Sequence, residues 1–253
     1  MKRLKNFRDL GGFLGFDGKK VKDNMLYRSG EPTGFEEDEF QEIMDDYGIK
    51  QIVDFRGVDE AAKRPIKGIA GFLYRNFDIL PRQMKEQHDI GFEAWVNKLL
   101  PGEATKYLLD DIYVEMVVDE AAQRGYRNFL DILLKPDGAT LFHCNIGQDR
   151  VGWAAVIVLK ILGVSDEDIM SDYLATIEAV KFDNEQRLKQ LKDHGLGEEK
   201  LKEAEILIDI KAQYLETSFG VVNRMYGNFD NYLKVALNVT EDEIDKLRAL
   251  YLH

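Results

Sequence analysis

A chain of 253 residues that is 45% hydrophobic and 32% charged, with only 5 prolines, has the apolar content of a sizeable core and not the composition of a disordered chain. Its formal net charge of -12 repels nucleic acid and anionic bilayers, so neither is expected as a bulk partner; a small anion in a local pocket stays compatible. The single cysteine excludes an intramolecular disulfide and fits a reducing compartment.

The amino-terminal run MKRLKNFRDLGG is basic but has no apolar segment behind it. The most apolar run, WAAVIVLKILG, is too short to span a bilayer and carries Lys160. The expectation is a soluble, cytoplasmic protein with no membrane span. No repeat and no Gly/Ser/Pro-rich linker divides the chain, which predicts one domain over residues 1–253. Nothing in the sequence specifies an oligomeric state.

MLYRSG (25–30) reads as a short strand ending in a turn. After Thr33, the residues Phe35, Phe40, Ile43, Met44 and Tyr47 recur at helical spacing, and Gly48 marks the stop. The β-branched run IKQIVDFR (49–56) predicts a buried strand, and GFLYRNFDI (71–79) a second. From about 82 to 135 the pattern is helical, through FEAWVNKLL, YLLDDIYVEMVV and RNFLDILL. That stretch is longer than one crossover needs, so an inserted helical lid that sets access is expected over about 82–125, with Phe92, Trp95 and Tyr113 either lining it or, in the preferred reading, filling its own small core. ATLFH (139–143) is a third strand, and RVGWAAVIVLKILG a helix apolar on nearly every side, hence buried. Ser165 with Asp168, and Thr240 with Glu243, have capping-box spacing at helix starts. Strands alternating with helices predict an α/β fold, a central mostly parallel sheet flanked by helices.

The stretch HCNIGQDRVG (143–152) joins the third strand to the buried helix. A strand, a tight loop and a helix amino terminus make an anion site, because backbone N–H groups converge there and the helix end adds about half a positive charge. A thiol at the base of such a loop is expected to have a lowered pKa, which makes Cys144 a candidate nucleophile rather than a core filler. Arg150, six residues on, supplies a planar fork for two oxygens of a tetrahedral oxyanion. His143 either holds Cys144 through the loop backbone or is a satisfied core histidine. Phosphoryl transfer to sulfur also needs an acid for the leaving oxygen. Asp149 in the loop, Asp78 at the end of the second strand and Asp54 at the end of the first are the three candidates.

HCNIGQDRVG resembles the His-Cys-x-x-Gly-Lys-Asp-Arg-Thr-Gly loop of the atypical bacterial and fungal tyrosine and lipid phosphatases in the protein tyrosine phosphatase superfamily. The likeness extends to NFRDLGG (6–12), LYRSGEP (26–32), GIKQIVDFRGVDE (48–60) and YGNFDNYL (226–233), in the same order, and so covers the whole chain. It implies a single phosphatase domain with a helical lid, no metal, no cofactor and a cysteinyl-phosphate intermediate. The implied substrate is a phosphotyrosine protein or a small phosphomonoester, with inorganic phosphate as product. By the same resemblance Cys144 is the nucleophile, Arg150 the phosphate-binding arginine and Asp149 the in-loop acid. Asn145, Ile146, Gly147 and Gln148 would offer main-chain N–H groups, Arg56 with Glu60 would line or brace the site, and Arg8 and Asp9 would brace the loop.

Two positions depart from the family pattern. Gln148 replaces a lysine that in this family accompanies activity on phosphoinositides, so polyanionic lipid headgroups are disfavoured. Val151 replaces a threonine whose hydroxyl would bond the thiolate, a contact worth about 1.5–3 kcal/mol, or roughly one to two pKa units. A less acidic thiol and slower turnover than the family norm are expected. The competing reading is a module that binds a phosphorylated ligand with weak or no turnover. Sulfur transfer on a similar cysteine loop fits less well, because of the arginine at the sixth position.

Overall fold

The computed structural model describes residues 4–79 and 91–253. Five strands, β1 (Arg8–Asp9), β2 (Leu26–Ser29), β3 (Ile49–Asp54), β4 (Leu73–Asn76) and β5 (Ala139–His143), form one sheet in the order β1-β2-β5-β3-β4. β1 is antiparallel to β2 and every other pairing is parallel. The expected mostly parallel α/β sheet is present. β2 and β5 are buried along their whole length, as strands covered on both faces must be. The parallel register sets His143 opposite Ser29 on one side and Asp54 on the other. The carboxyl ends of the three central strands therefore lie together, where ligands of open α/β sheets bind.

One face of the sheet carries Tyr27, Ile49, Ile52 and Leu141, packed with Phe40 and Met44 of α1 (Glu37–Asp46). Ile49 and Ile52 share that face because β3 shifts register between Ile49 and Gln51. The opposite face, with Val53 and Phe142, packs under α5 (Glu120–Leu133) and α6 (Asp149–Ile161). α6 is buried from Arg150 to Leu159, as its apolar sequence predicted, and Trp153 lies against the rings of Phe219, Phe229 and Tyr232.

Three boundaries differ from the sequence expectation. α1 begins at a Glu36 cap rather than near Thr33, because Glu36 and Glu39 form the reciprocal capping contacts themselves. The strand expected over 71–79 is a four-residue edge strand, with Arg75 exposed. The stretch expected as a lid divides. Residues 82–90 of it lie outside the described residues. α2 (Val58–Lys63) precedes them, and α3 (Phe92–Lys98) follows. α4 (Glu103–Val118) belongs to the main core, since Ile112, Tyr113, Met116 and Val117 are all buried in it.

A separate small core does exist, around Val96, Leu191, Leu196 and Ala204. It joins α3 to the end of α7 (Asp166–Asp193) and to α8 (Glu198–Ile208). Helices α9 (Ala212–Tyr226), α10 (Phe229–Val235) and α11 (Glu241–Tyr251) complete the layer. Both expected helix starts are capped: the Ser165 Oγ accepts from the Asp168 N–H, and Thr240 and Glu243 form a capping box. No described helix is long and apolar enough to cross a membrane.

α7 is tied to the sheet through one carboxylate. Asp172 accepts from Arg8 Nε at 2.7 Å and from Arg28 Nη1 at 2.5 Å, and Arg28 is fully buried in β2. Removing one partner of a buried ion pair leaves the other charge uncompensated, so Asp172→Ala is expected to cost about 3–5 kcal/mol of folding stability. Lys189→Ala, which breaks an exposed pair with Asp193 on the same helix, should cost under about 0.5 kcal/mol. Urea denaturation of the two variants checks the contrast; equal losses would mean that Asp172 is not a structural tie.

Candidate active site

β5 ends at His143, α6 starts at Asp149, and the chain between them turns in a tight loop. Its shape is fixed by what its carbonyls bond to. The Gly147 carbonyl accepts from Asn6 Nδ2 and from Arg28 Nη2, both at 2.8 Å, and the Ile146 carbonyl from Asn6 Nδ2 at 3.2 Å. The Asn145 carbonyl accepts from the Glu31 N–H at 2.9 Å. No peptide bond is cis. In a trans peptide the N–H points opposite to its C=O. Holding these three carbonyls outward therefore turns the N–H groups of Ile146, Gly147 and Gln148 the other way, into the loop. The Gly147 N–H lies 3.3 Å from Cys144 Sγ, and the backbone N–H of Val151 also points to it.

Gly147 is required at its position. Its φ is +79°, and an added Cβ would lie 2.4 Å from the Ser29 carbonyl oxygen. The loop is seated directly on the end of β2, with no space for a side chain.

Arg150 follows in the first turn of α6. Its Nη1 donates to Glu60 Oε2 at 2.8 Å and to the Phe55 carbonyl at 3.1 Å, and its Nη2 reaches Glu60 Oε1 at 3.4 Å. Its Nε is buried with no hydrogen-bond partner among the described residues. Glu60 thus braces the arginine. Arg56 does not reach the loop: it is locked to Asp54 through Nε and Nη2, to Glu31 at 3.1 Å and to the Arg64 carbonyl at 2.8 Å. His143 Nδ1 lies 3.3 Å from the carbonyl of Cys144, and burial lowers the pKa of the ring, which is neutral at physiological pH. Of the two expected bracing residues at the amino end, Arg8 grips Asp172 and Thr176, while Asp9 closes a turn by accepting from the Gly11 and Asn24 N–H groups.

The three acid candidates separate. Asp149 accepts from the Tyr113 hydroxyl, which lies 2.6 Å from that of Tyr173. Burial raises the Asp149 pKa, over the opposing pulls of Tyr113 and Arg150, and so keeps a proton there more readily than on an ordinary aspartate. Asp54 goes the other way. Burial works against its charge, but His143 and the N–H bonds of Arg56 outweigh it and hold the carboxyl down to about 2. Of those two neighbours Arg56 is the one charged at neutral pH. A carboxyl held that low has no proton to give. Asp78 lies 3.5 Å from the Val58 N–H, beside α2.

The thiol corrects an expectation. Burial pushes the Cys144 pKa up, and the pull of Arg150 and the Val151 N–H does not overcome it. The expected lowering is absent because burial outweighs the pull of Arg150, and the carboxylates of Asp149 and, less strongly, Glu60 add their own repulsion to the thiolate. Val151 contributes only its backbone N–H, as its side chain predicts. Gln148 is buried at the start of α6, where it also hydrogen-bonds Asp149.

Asn6, Arg28, Asp172 and Tyr113 were not singled out from the sequence as site residues. Arg28 had a readable signal, because a charge inside an apolar strand must find a buried partner. Tyr113 had none, since it sits in an ordinary amphipathic helix.

A parallel sheet whose central strand ends in a thiol, ringed by inward N–H groups and closed by a braced arginine, is the framework of a cysteine-dependent phosphatase. The family model described as the tyrosine phosphatase family matches residues 1–253, and the chain belongs to that family. It is 29% identical over 252 residues to a Cupriavidus necator protein bearing the name tyrosine-protein phosphatase, covering 98% of this chain and 86% of that one. It is 23% identical over 273 aligned positions to the triple specificity protein phosphatase PtpB of Mycobacterium tuberculosis, covering 98% of this chain and 96% of that protein. A tyrosine-protein phosphatase of Nostoc commune is 26% identical over 211 residues, covering 80% and 66%. The chain is a phosphoric monoester hydrolase of the tyrosine phosphatase type, with a phosphorylated substrate and inorganic phosphate as product.

The role given to Glu60 is measurable. Removing its charge in Glu60→Gln frees the field of Arg150 to favour thiolate, so the pH midpoint of iodoacetamide alkylation at Cys144 should fall. The wild-type midpoint should lie above that of an ordinary thiol. An unchanged midpoint would mean that Glu60 does not offset Arg150.

Proposed function

We propose that the protein hydrolyses phosphotyrosine in proteins, by attack of Cys144 on phosphorus with Asp149 as the acid. The observation that supports this most strongly is the outward anchoring of the loop carbonyls, which turns the Ile146, Gly147 and Gln148 N–H groups the other way, that of Gly147 onto Sγ. Those donors, the free Nε of Arg150 and the amino end of α6 match the oxygens of a bound phosphate, whose charge they stabilise as it redistributes in transfer.

In the first step the S–P bond forms as the P–O bond to the tyrosyl oxygen breaks, and the Asp149 proton goes to that oxygen. In the second, Asp149 takes a proton from water as the water oxygen attacks phosphorus, and the S–P bond breaks to release phosphate and thiolate. Burial raises the pKa of both Cys144 and Asp149, and the first step needs a single proton shared between them. The productive arrangement places that proton on Asp149 and leaves sulfur charged. Arg56, Asp54, Glu60 and His143 act as bracing groups in this reading, and the loop residues Asn145 to Arg150 hold the phosphate. Gln148, neutral where the family carries lysine, favours a monophosphorylated tyrosine over a polyanionic lipid headgroup.

Release of phosphate from phosphotyrosine peptides and p-nitrophenyl phosphate should be lost in Cys144→Ser. Asp149→Asn should slow alkyl phosphates by about 10²–10⁴ and p-nitrophenyl phosphate far less, because the nitrophenolate leaves without a proton. Phosphotyrosine binding with no phosphate release by the wild type would instead identify a binding module. Equal losses on alkyl and aryl substrates would move the acid away from Asp149.

A further inference from the structure

The mouth of the cradle is rimmed by cations in a chain of net charge -12, and their partners differ. A cleft of about 370 Å³ opens beside Asn145 and Ile146, and its cations are Lys5, Arg64 and Arg187. Lys5 pairs with Asp183 at 2.8 Å, and Arg64 with Glu31 at 2.5 Å. Glu31 also accepts from Arg56. Both carboxylates of the cleft are therefore occupied. Arg187, on α7, has no ion pair and no hydrogen bond among the described residues. Its guanidinium lies 5.1 Å from the centroid of the Phe92 ring, which holds it in place from one side. A second cleft of about 340 Å³ is lined by Phe92, Arg187 and Asn145 as well, so the guanidinium stands between two openings that both reach the phosphate loop.

A half-buried arginine with no hydrogen bond and no close ion pair among the described residues is an unspent donor. Burial and the neighbouring charge of Arg64 act together against its own charge, and the carboxylates of Asp183 and Glu31, each paired with another cation, offset this only in part. An incoming anion relieves both, and the fork of five N–H groups suits a carboxylate. We propose that Arg187 is a specificity-determining residue that binds the carboxylate of an acidic side chain next to the phosphotyrosine in a protein substrate. The proposal rests on the phosphotyrosine reading above. A single guanidinium balances a single carboxylate. A second phosphate would bring up to two negative charges into a cleft that already holds Glu31 and Asp183, with neutral Gln148 nearby in the loop. The stacking on Phe92 fixes the height of the guanidinium over the cleft, so a side chain within a few residues of the phosphotyrosine can reach it.

The test is steady-state kinetics on two phosphotyrosine peptides, one with Glu flanking the phosphotyrosine and one with Ala there. The wild type should favour the acidic peptide by about tenfold in kcat/KM, with the difference in KM, and the preference should shrink as salt rises. In Arg187→Gln the ratio between the peptides should approach one, and Arg187→Lys should keep part of it. A wild type that treats both peptides alike overturns the proposal, as does an Arg187→Gln variant that keeps the preference. A bisphosphorylated small substrate that loses kcat/KM in Arg187→Gln while the peptide ratio persists would assign Arg187 to a second phosphate instead. If neither peptide is hydrolysed while p-nitrophenyl phosphate is, the phosphotyrosine reading itself fails and carries the proposal with it.

Discussion

The active site depends on three backbone carbonyls that point away from it. Asn6 and Arg28 take the carbonyls of Ile146 and Gly147, and the Glu31 N–H takes that of Asn145. Because peptide units are rigid, anchoring one end aims the other. The segment "NFRDLGG" and the strand "LYRSG" are thus parts of the catalytic loop in a mechanical sense, although neither contributes a reacting atom. Asp172 extends the arrangement to α7, since it holds Arg28 and Arg8 in place from behind. Gly147 completes it by letting the loop rest on the Ser29 carbonyl, where any side chain would collide.

Electrostatics around this loop is a matter of competing partners. Arg150 is both the closing cation of the cradle and one half of a buried pair with Glu60. The bond to Glu60 positions the guanidinium and, by the same charge, denies the thiol part of its stabilisation. Asp54 and Arg56 form the neighbouring pair, so firmly that Asp54 stays ionised and Arg56 stays out of the cradle. Asp149 is the exception: its partners are the Tyr113 hydroxyl and the side-chain amide of Gln148, with Tyr173 behind the tyrosine. Neutral donors in a buried setting leave a carboxyl free to carry a proton. The helical outgrowth built from α3, α7 and α8 then places Arg187, unpaired among the described residues, in clefts that Asn145 of the same loop also lines.

Much of this was legible in the sequence because it is local. The buried strand before Cys144, the apolar helix after Arg150 and the order of strands and helices all follow from short-range periodicity. The resemblance carried the loop residues as a set. What was not legible is what depends on distant segments meeting. Tyr113 looks like any aromatic on an amphipathic helix until α4 proves to be core rather than lid. The thiol's pKa could not be read from Cys-x5-Arg spacing, because its direction is set by burial under distant segments, with Asp149 and then Glu60 opposing the pull of Arg150. Arg8, expected as a brace, acts one step removed: it donates to the Oδ1 of Asn6, which carries the loop contact itself.

The central claim is that the anchored loop presents Cys144 as the atom that accepts the phosphoryl group. The most direct measurement is mass-spectrometric mapping of protein quenched in acid during turnover of p-nitrophenyl phosphate. The account predicts phosphate on the peptide containing Cys144, absent from Cys144→Ser. Phosphate on another residue, or turnover persisting in Cys144→Ser with no phosphoenzyme, would contradict it.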